Sequence, residues 1–206
     1  MKENKAEKGR EATRNKLLEA VGLILNEEGF DKVGVNAVAA KAGVSKMLIY
    51  RYFESVDNMI IEYLSQNSLW EAFAIEFPKN ENLREFTKTL ISVQISNLRE
   101  NKILRELYRW ELTGANNTVI DKLRLKRESK GVTLATILSQ LLQHPQEEVA
   151  TLATLLSSSI NYLVLLENSC PVFNGIDINQ EQGWKQIICG VDKLIDLWFD
   201  DIEKRR

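Results

Sequence analysis

Apolar residues recur along most of this chain at the three- and four-residue spacing of an amphipathic α-helix. The first such segment predicts a helix from about Arg10 to Glu28, whose apolar face is formed by Leu17, Val21, Ile24 and Leu25. Glycine and proline are scarce, with ten and three copies, and no stretch alternates long enough to indicate a sheet. The pattern therefore predicts an all-α fold.

The periodicity and the cap residues place the later helices. A second helix is predicted at Val35–Ala42, with Gly34 as its N-cap. Two serines cap the next helices: Ser45 begins one that runs to about residue 52, and Ser55 begins one that runs to about residue 77. Further helices are predicted at about 82–99, 102–113, 117–143, 146–168 and 181–204. Pro145 suits the first position of its helix, and residues 171–183 form the longest predicted loop.

This arrangement predicts two domains. Residues 1–54 carry three helices, and residues 55–206 form a larger helical body. No unbroken run of about 18 apolar residues occurs, so no membrane span is expected. The charged N-terminus lacks the apolar segment of a signal peptide, which makes the cytoplasm the expected location, and the two cysteines are expected to be reduced there.

The charge balance is close to neutral, with a net charge of −2. Residues 1–60 hold ten lysines and arginines against nine aspartates and glutamates. A phosphate-binding surface would therefore depend on local placement of cations rather than on bulk charge. The cations of the N-terminal arm are one candidate, although interleaved glutamates favour a solvated tail; they are Lys2, Lys5, Lys8, Arg10 and Arg14.

Residues 35–52 have the pattern of two short helices that cross at a glycine turn. Small and β-branched residues allow the close crossing, and Ile49 and Phe53 lie four positions apart on the inner face of the second helix. The residues left on its outer face are Lys46, Met47, Tyr50 and Arg51. An exposed helix face with cations and aromatic residues after a tight turn suits the major groove of DNA. The alternative is that this face packs against the C-terminal body.

The run "EEGFDKVGVNAVAAKAGVSKMLIYRYFES" resembles the N-terminal DNA-binding domain of the TetR family of bacterial transcriptional regulators. The matching features are Gly29-Phe30, Val38-Ala39, Ala42-Gly43-Val44-Ser45 and Tyr50-Arg51-Tyr52-Phe53. Chain length, helix order, "FNGIDI" and the tryptophan-bearing last helix agree with the family. The resemblance implies a homodimer that places its two N-terminal domains in successive major grooves of palindromic double-stranded DNA.

The resemblance also implies which positions meet DNA. Lys46, Met47 and Leu48 fall where recognition-helix residues meet bases, and Tyr50 and Tyr52 fall where the family binds phosphate. The full set of predicted DNA-binding residues is Val35, Asn36, Ser45, Lys46, Met47, Leu48, Tyr50, Arg51, Tyr52 and Ser55.

Three departures from the family pattern bear on DNA binding. Met47-Leu48 stands where the family often has Gly-Thr, and we expect these apolar side chains to favour thymine methyl groups. Gly34 replaces the usual threonine at the cap of the second helix, and Val56 replaces a common lysine. Ser55 and the exposed amides of the fourth helix are expected to compensate for that lysine.

The last two long helices are candidates for a dimer interface. The segment 146–168 is apolar on nearly all sides, and the final helix carries a wide apolar stripe. Two such helices from each subunit form a four-helix interface, whereas the alternative is one self-contained bundle core. The resemblance favours the dimer, because the family usually dimerises through these helices.

Aromatic residues concentrate in the centre of the chain. Such a stripe is ordinarily core, but the resemblance implies a small-molecule effector pocket in this region, largely apolar in character. The predicted effector-binding residues are Trp70, Phe73, Phe77, Tyr108, Trp110 and Tyr162. Arg109 and Glu111 are expected to be ion-paired on the surface instead.

Enzymatic chemistry has little support in the sequence. The only histidine, His144, lies at a helix boundary where a capping or surface role is expected, so neither a catalytic triad nor a multi-histidine metal site is easily assembled. There is no glycine-rich phosphate loop. These observations argue against an enzyme, and the resemblance implies an effector-responsive transcriptional regulator without cofactor or metal. Repression is the usual mode in the family, with activation left open. The alternative is a helical dimeric ligand-binding protein that has lost specific DNA binding.

Overall fold

The structure, a computed structural model, describes residues 2–66, 82–114 and 117–205, with side chains described from residue 8. Within these residues it has nine α-helices, one 3-10 turn and one small β-hairpin. The helices are α1 Lys2–Glu27, α2 Val35–Ala42, α3 Lys46–Phe53, α4 Val56–Gln66, α5 Leu83–Glu100, α6 Lys102–Thr113, α7 Thr118–Leu142, α8 Gln146–Leu166 and α9 Glu181–Lys204. The predicted all-α class is confirmed, and the predicted part of α4 beyond residue 66 lies outside the described residues.

Three local features differ from the expectations. α1 begins at Lys2 rather than near Arg10, because lysine, glutamate and alanine favour a helix even without an apolar face. Pro145, with φ −53° and ψ 129°, is the N-cap of α8 rather than its first residue. The predicted loop after α8 contains an antiparallel hairpin in which Val172–Phe173, which we call β1, pairs with Ile176–Asp177, β2.

The chain divides into two compact units, which we call unit 1 and unit 2. Unit 1 comprises Met1–Trp70 with Lys102–Leu125, and unit 2 comprises Glu71–Asn101 with Lys126–Arg206. The predicted domain boundary between residues 54 and 55 stays a prediction. In the compact units, α4 and α6 group with the three N-terminal helices.

Unit 1 is built around α1, which packs against α2, α4 and α6. Its inner face is buried as the periodicity predicts, with Leu17 and Val21 fully inaccessible. Gly22 allows Tyr63 of α4 to lie directly on α1, because a Cβ at that position would come within 2.5 Å of the tyrosine oxygen. Partial burial raises the pKa of the Tyr63 hydroxyl. Helix α6 is tied to the C-terminal end of α1 by Lys102, whose Nζ donates to the Asn26 carbonyl oxygen at 2.5 Å.

Unit 2 is organised by α5, which packs against both α8 and α9. The Arg99 guanidinium at the end of α5 pairs with Glu167 at 3.0 Å and with Glu181 at 2.6 Å, and it lies 4.9 Å from the Trp184 ring. Trp184 is buried, and its Nε1 donates to the Ile178 carbonyl oxygen at 2.7 Å. One guanidinium thereby holds the end of α8 and the start of α9.

The sole histidine lies at the helix boundary where a capping or surface role was expected, and it is mostly buried rather than on the surface. The side chain of His144 is only 10% exposed, because its ring packs edge-on against Trp198 with centroids 5.7 Å apart. Its Nε2 lies 3.0 Å from a carboxylate oxygen of Glu148, in the first turn of α8. The histidine therefore serves the packing of unit 2 and the start of that helix.

Helix α8 is unusual for a helix of a single folded chain. It is long and apolar enough to cross a membrane, with a mean hydropathy of 1.7, because its serines and threonines lower the average only slightly. Yet only 22% of that window is buried within the chain. Leu155 and Tyr162, seven residues apart on one face, are 63% and 55% exposed. Within the part of the chain that the structure describes, an apolar face of α8 is thus left uncovered.

Candidate nucleic-acid interface

The turn between α2 and α3 depends on Gly43. This residue has φ 65° and ψ 34°, a left-handed conformation that glycine adopts without a side-chain clash. Its amide donates back to the Ala40 carbonyl at 3.2 Å, and the Val44 amide donates to the Ala39 carbonyl at 3.0 Å. These bonds end α2 in the manner of a Schellman cap and set the direction in which α3 leaves.

Helix α3 separates into an inner and an outer face. Its N-cap is Ser45, whose Oγ accepts a hydrogen bond from the Met47 amide at 3.3 Å. Ile49 and Phe53 are 0% and 4% exposed, so they anchor the helix to unit 1. The predicted inner face of α3 and its serine cap are therefore observed.

The outer face of α3 carries the residues that the sequence analysis assigned to DNA. Met47 is 73% exposed and Tyr50 is 51% exposed. Lys46 and Arg51 are exposed as well, whereas Leu48 and Tyr52 are half-buried at the edges of the face. A methionine and a tyrosine left this open on a two-turn helix, with two cations beside them, form a surface of mixed apolar and positive character.

The flanking helices bring the remaining predicted residues to their first turns. In α2, Gly34 has extended angles and no side chain with which to cap the helix, Val35 is half-buried and Asn36 is exposed. At α4, the Ser55 Oγ accepts a hydrogen bond from the Asn58 amide at 3.1 Å. Ser55 is thus the cap that the sequence predicted, and its hydroxyl hydrogen stays available as a donor.

Arg14 is the residue whose surroundings the sequence analysis predicted wrongly. Its place on the first helix agrees with the prediction, but its side chain is paired within unit 1 and only 36% exposed, so it is not part of a solvated tail. Its guanidinium forms an ion pair with Glu62 of α4 and stands 5.3 Å from the centroid of the Phe53 ring. Sequence periodicity carries no signal for such pairing, since the three residues come from three different helices.

Two predicted effector residues lie on α6 in unit 1, and each is half-buried. Trp110 stacks on Phe30 with ring centroids 4.8 Å apart and an interplanar angle of 18°, and Tyr108 lies two residues before it. On the same helix, Arg109 pairs with Glu106 at 2.5 Å and Glu111 with Arg124 at 3.0 Å, in agreement with the expected ion pairs.

In unit 2, Tyr162 lies on the open face of α8 and meets Phe173 edge-on at 6.0 Å. The other three predicted effector residues, Trp70, Phe73 and Phe77, lie outside the described residues. The effector site as a whole stays a prediction.

The N-terminal part of the chain matches a known protein family. Residues 17–63 match the family model described as bacterial regulatory proteins, tetR family. The matched segment contains the whole of α2 and α3, the Gly43 turn and the outer face just described. A comparison with curated proteins finds no significant match.

Proposed function

Because the chain is a DNA-binding transcriptional regulator of the TetR family, we propose that it acts as a homodimer on a palindromic operator and is released by a small effector. Repression is the proposed mode, since the family most often represses, and the cytoplasm is the proposed location. Members of the family are generally non-enzymatic and soluble.

The outer face of α3 is the observation that carries this proposal. The first turn of a recognition helix meets base edges in the major groove, and Lys46 and Met47 occupy that turn here. The lysine ammonium suits the O6 and N7 acceptors of guanine, whereas the methionine suits the methyl group of thymine. Tyr50 and Tyr52 follow one turn later, where their hydroxyls suit phosphate oxygens.

The uncovered faces of α8 and α9 support the homodimer. Leu155 and Tyr162 on α8 are matched on α9 by Leu194 and Leu197, which are 55% and 58% exposed. Exposed apolar surface on two long helices that both pack against α5 marks an interaction site, and a two-fold axis lets each subunit cover the surface of the other. The dimer also accounts for the membrane-like composition of α8, since that helix is then buried among four helices.

Release by an effector is proposed as a shift between two dimer states. DNA selects dimers whose recognition helices stand about one helical turn apart, roughly 34 Å. An effector that binds better to dimers with another spacing weakens DNA binding by the ratio of its affinities for the two states. The effector is proposed to be small and largely apolar.

Selection of duplexes from a random-sequence library by the purified dimer tests the proposal. We expect a palindromic sequence whose binding weakens steeply with salt. Lys46→Ala should relax the preference at one base step, whereas Tyr50→Phe should weaken binding to every sequence similarly.

A folded dimer that selects no sequence would instead support the ligand-binding protein without specific DNA recognition. If both substitutions leave selected binding unchanged, the outer face of α3 is not the recognition surface.

A further inference from the structure

Arg14 links the two helices that flank the chain's DNA-facing segment. From α1, its guanidinium reaches Glu62 on α4 and the ring of Phe53 at the end of α3. Phe53 is 4% exposed and is one of the two residues that anchor α3. The one side chain therefore contacts both the anchor of α3 and the adjoining helix.

The surroundings of Arg14 favour this paired placement over one in which the guanidinium points into solvent. The Arg14 side chain is 36% exposed and that of Glu62 is 27% exposed, so neither group is freely solvated. The Gln66 side-chain amide donates to Glu62 Oε1 at 2.8 Å, the same oxygen that pairs with Arg14, and so helps to orient that carboxylate. The planar guanidinium can lie over a ring face while it pairs with a carboxylate, a combination that an ammonium group matches less well.

We propose that Arg14 is a positioning residue for sequence-specific DNA binding: it fixes the orientation of α3 by holding Phe53 and Glu62 together, and it does not contact phosphate. This inference rests on the proposed role of α3 as the recognition helix. It assigns α4 a direct mechanical link to that helix, because a displacement of Glu62 disturbs the guanidinium that lies against Phe53.

The proposal and a phosphate contact predict opposite effects for Glu62. If Arg14 bound phosphate, Glu62→Gln would free the guanidinium and tighten DNA binding. If Arg14 positions α3, the same substitution releases its partner and weakens binding. Glu19→Gln, on the exposed side of α1, is a matched control for the loss of one negative charge, and Lys16→Gln is the matched control for Arg14→Gln.

The test measures binding of each full-length variant to the duplex that the wild-type protein selects from a random-sequence library. Because a partly exposed ion pair and a cation–π contact are each modest, we expect Arg14→Gln and Glu62→Gln to weaken binding by about 3- to 10-fold relative to their controls. The salt dependence should stay that of the wild type, and the double variant should be no weaker than Arg14→Gln alone.

Several results would overturn the proposal. The first is that Glu62→Gln binds DNA more tightly than Glu19→Gln. The second is that the slope of log binding constant against log salt concentration falls by about one in Arg14→Gln, as it does when a phosphate contact is lost. The third is that the losses of DNA affinity of the two single variants add in the double variant. Arg14→Lys refines the distinction, because a phosphate contact tolerates lysine whereas the stacked pair does not.

Hydrogen exchange on the free protein tests the positioning role of Arg14 without DNA, and so independently of the proposed function. Arg14→Gln should speed exchange of the α3 amides relative to Lys16→Gln, since a loosened helix opens more often. If the exchange rates of the α3 amides are unchanged in Arg14→Gln, the positioning role is overturned, whatever the DNA-binding measurements give. If the wild-type protein selects no duplex, the proposed function fails, and the exchange measurement alone then decides whether Arg14 positions α3.

Discussion

The proposed dimer requires that two exposed leucines become buried between the subunits, Leu155 of α8 and Leu197 of α9. In the single chain they are 63% and 58% exposed. We predict that Leu155→Glu and Leu197→Glu each dissociate the dimer while leaving each chain folded. A surface substitution on a helix changes the free energy of unfolding little when the side chain makes few contacts within its own chain.

The size of the effect follows from the exposed fraction. Full burial of a leucine side chain is worth about 1.5–3 kcal/mol, so covering roughly 60% of it is worth about 1–2 kcal/mol. A two-fold interface contains each residue twice, which doubles the loss to about 2–4 kcal/mol per dimer. The dissociation constant should therefore rise by a factor on the order of 100, and the buried carboxylates make this a lower bound.

Sedimentation velocity over a concentration series measures this change, and circular dichroism checks that the fold is kept. The chain offers a matched control, because Leu112 and Leu125 of unit 1 are even more open, at 78% and 70% exposed. Glutamate at either control position should leave the dimer intact. If the α8 and α9 variants stay dimeric, or if a control variant dissociates instead, the interface lies elsewhere.

Three further predictions concern single positions. Ile49→Ala, at a fully buried position, should lower the free energy of unfolding by about 2–5 kcal/mol, whereas Met47→Ala should change it by less than about 0.5 kcal/mol. Denaturant titration measures both values. Equal losses would contradict the division of α3 into a buried inner face and an exposed outer face. Gly183→Ala should lower the free energy of unfolding by about 1–3 kcal/mol in the same titration, because a Cβ there would lie 1.9 Å from a backbone carbonyl oxygen. If the free energy of unfolding does not change, the hairpin moves freely to make room for the Cβ. The Arg99 guanidinium holds the pKa of Glu181 below its ordinary value, so the pair stabilises the fold above the unfolded-state pKa, and this contribution is lost as pH falls through the folded-state pKa. The denaturation midpoints of wild type and Glu181→Gln should therefore differ at neutral pH and converge in acid, once the Glu181 carboxyl is protonated in the folded and the unfolded state. A difference that stays constant with pH would rule the pair out as the cause.

Helix positions were largely predictable from the sequence, and the reasons are local. Ser45 and Gly43 are a cap and a left-handed turn residue, and each acts within a few residues of itself. The long helices carry apolar stripes whose period needs no knowledge of the partner. The start of α1 was missed for the same reason, because its first turns have no apolar face and periodicity is silent there.

The hairpin after α8 was missed although its signal was present. Asn174-Gly175 is a strong sequence signal for a two-residue turn, and both residues have positive φ, 50° and 81°. The strands on either side have only two residues each, too few to show an alternating pattern. The turn residues were informative where the periodicity was not.

Pairings between helices are the part of the site that the sequence did not reveal. Nothing in the spacing of Arg14, Phe53 and Glu62 marks them as neighbours, and a charged residue near the N-terminus reads as a tail until its partners are known. The assignment of Trp110 to an effector site meets the same difficulty, because its stacking on Phe30 depends on how α6 packs against the 3-10 turn at Phe30–Lys32.

Among the described residues, the outer face of α3 and the open faces of α8 and α9 are exposed apolar surfaces whose chemistry differs, and that difference supports the partners proposed for them. The outer face of α3 mixes methionine and tyrosine with lysine and arginine, so a partner must offer both apolar groups and negative charge, as the major groove does. The open faces of α8 and α9 offer leucines and small residues instead, which suit a partner of the same composition. A second copy of the chain is such a partner, and pairing two copies also supplies the second recognition helix that a palindrome requires. The two surfaces are therefore complementary requirements of one function, because a single α3 reads only half of the proposed operator.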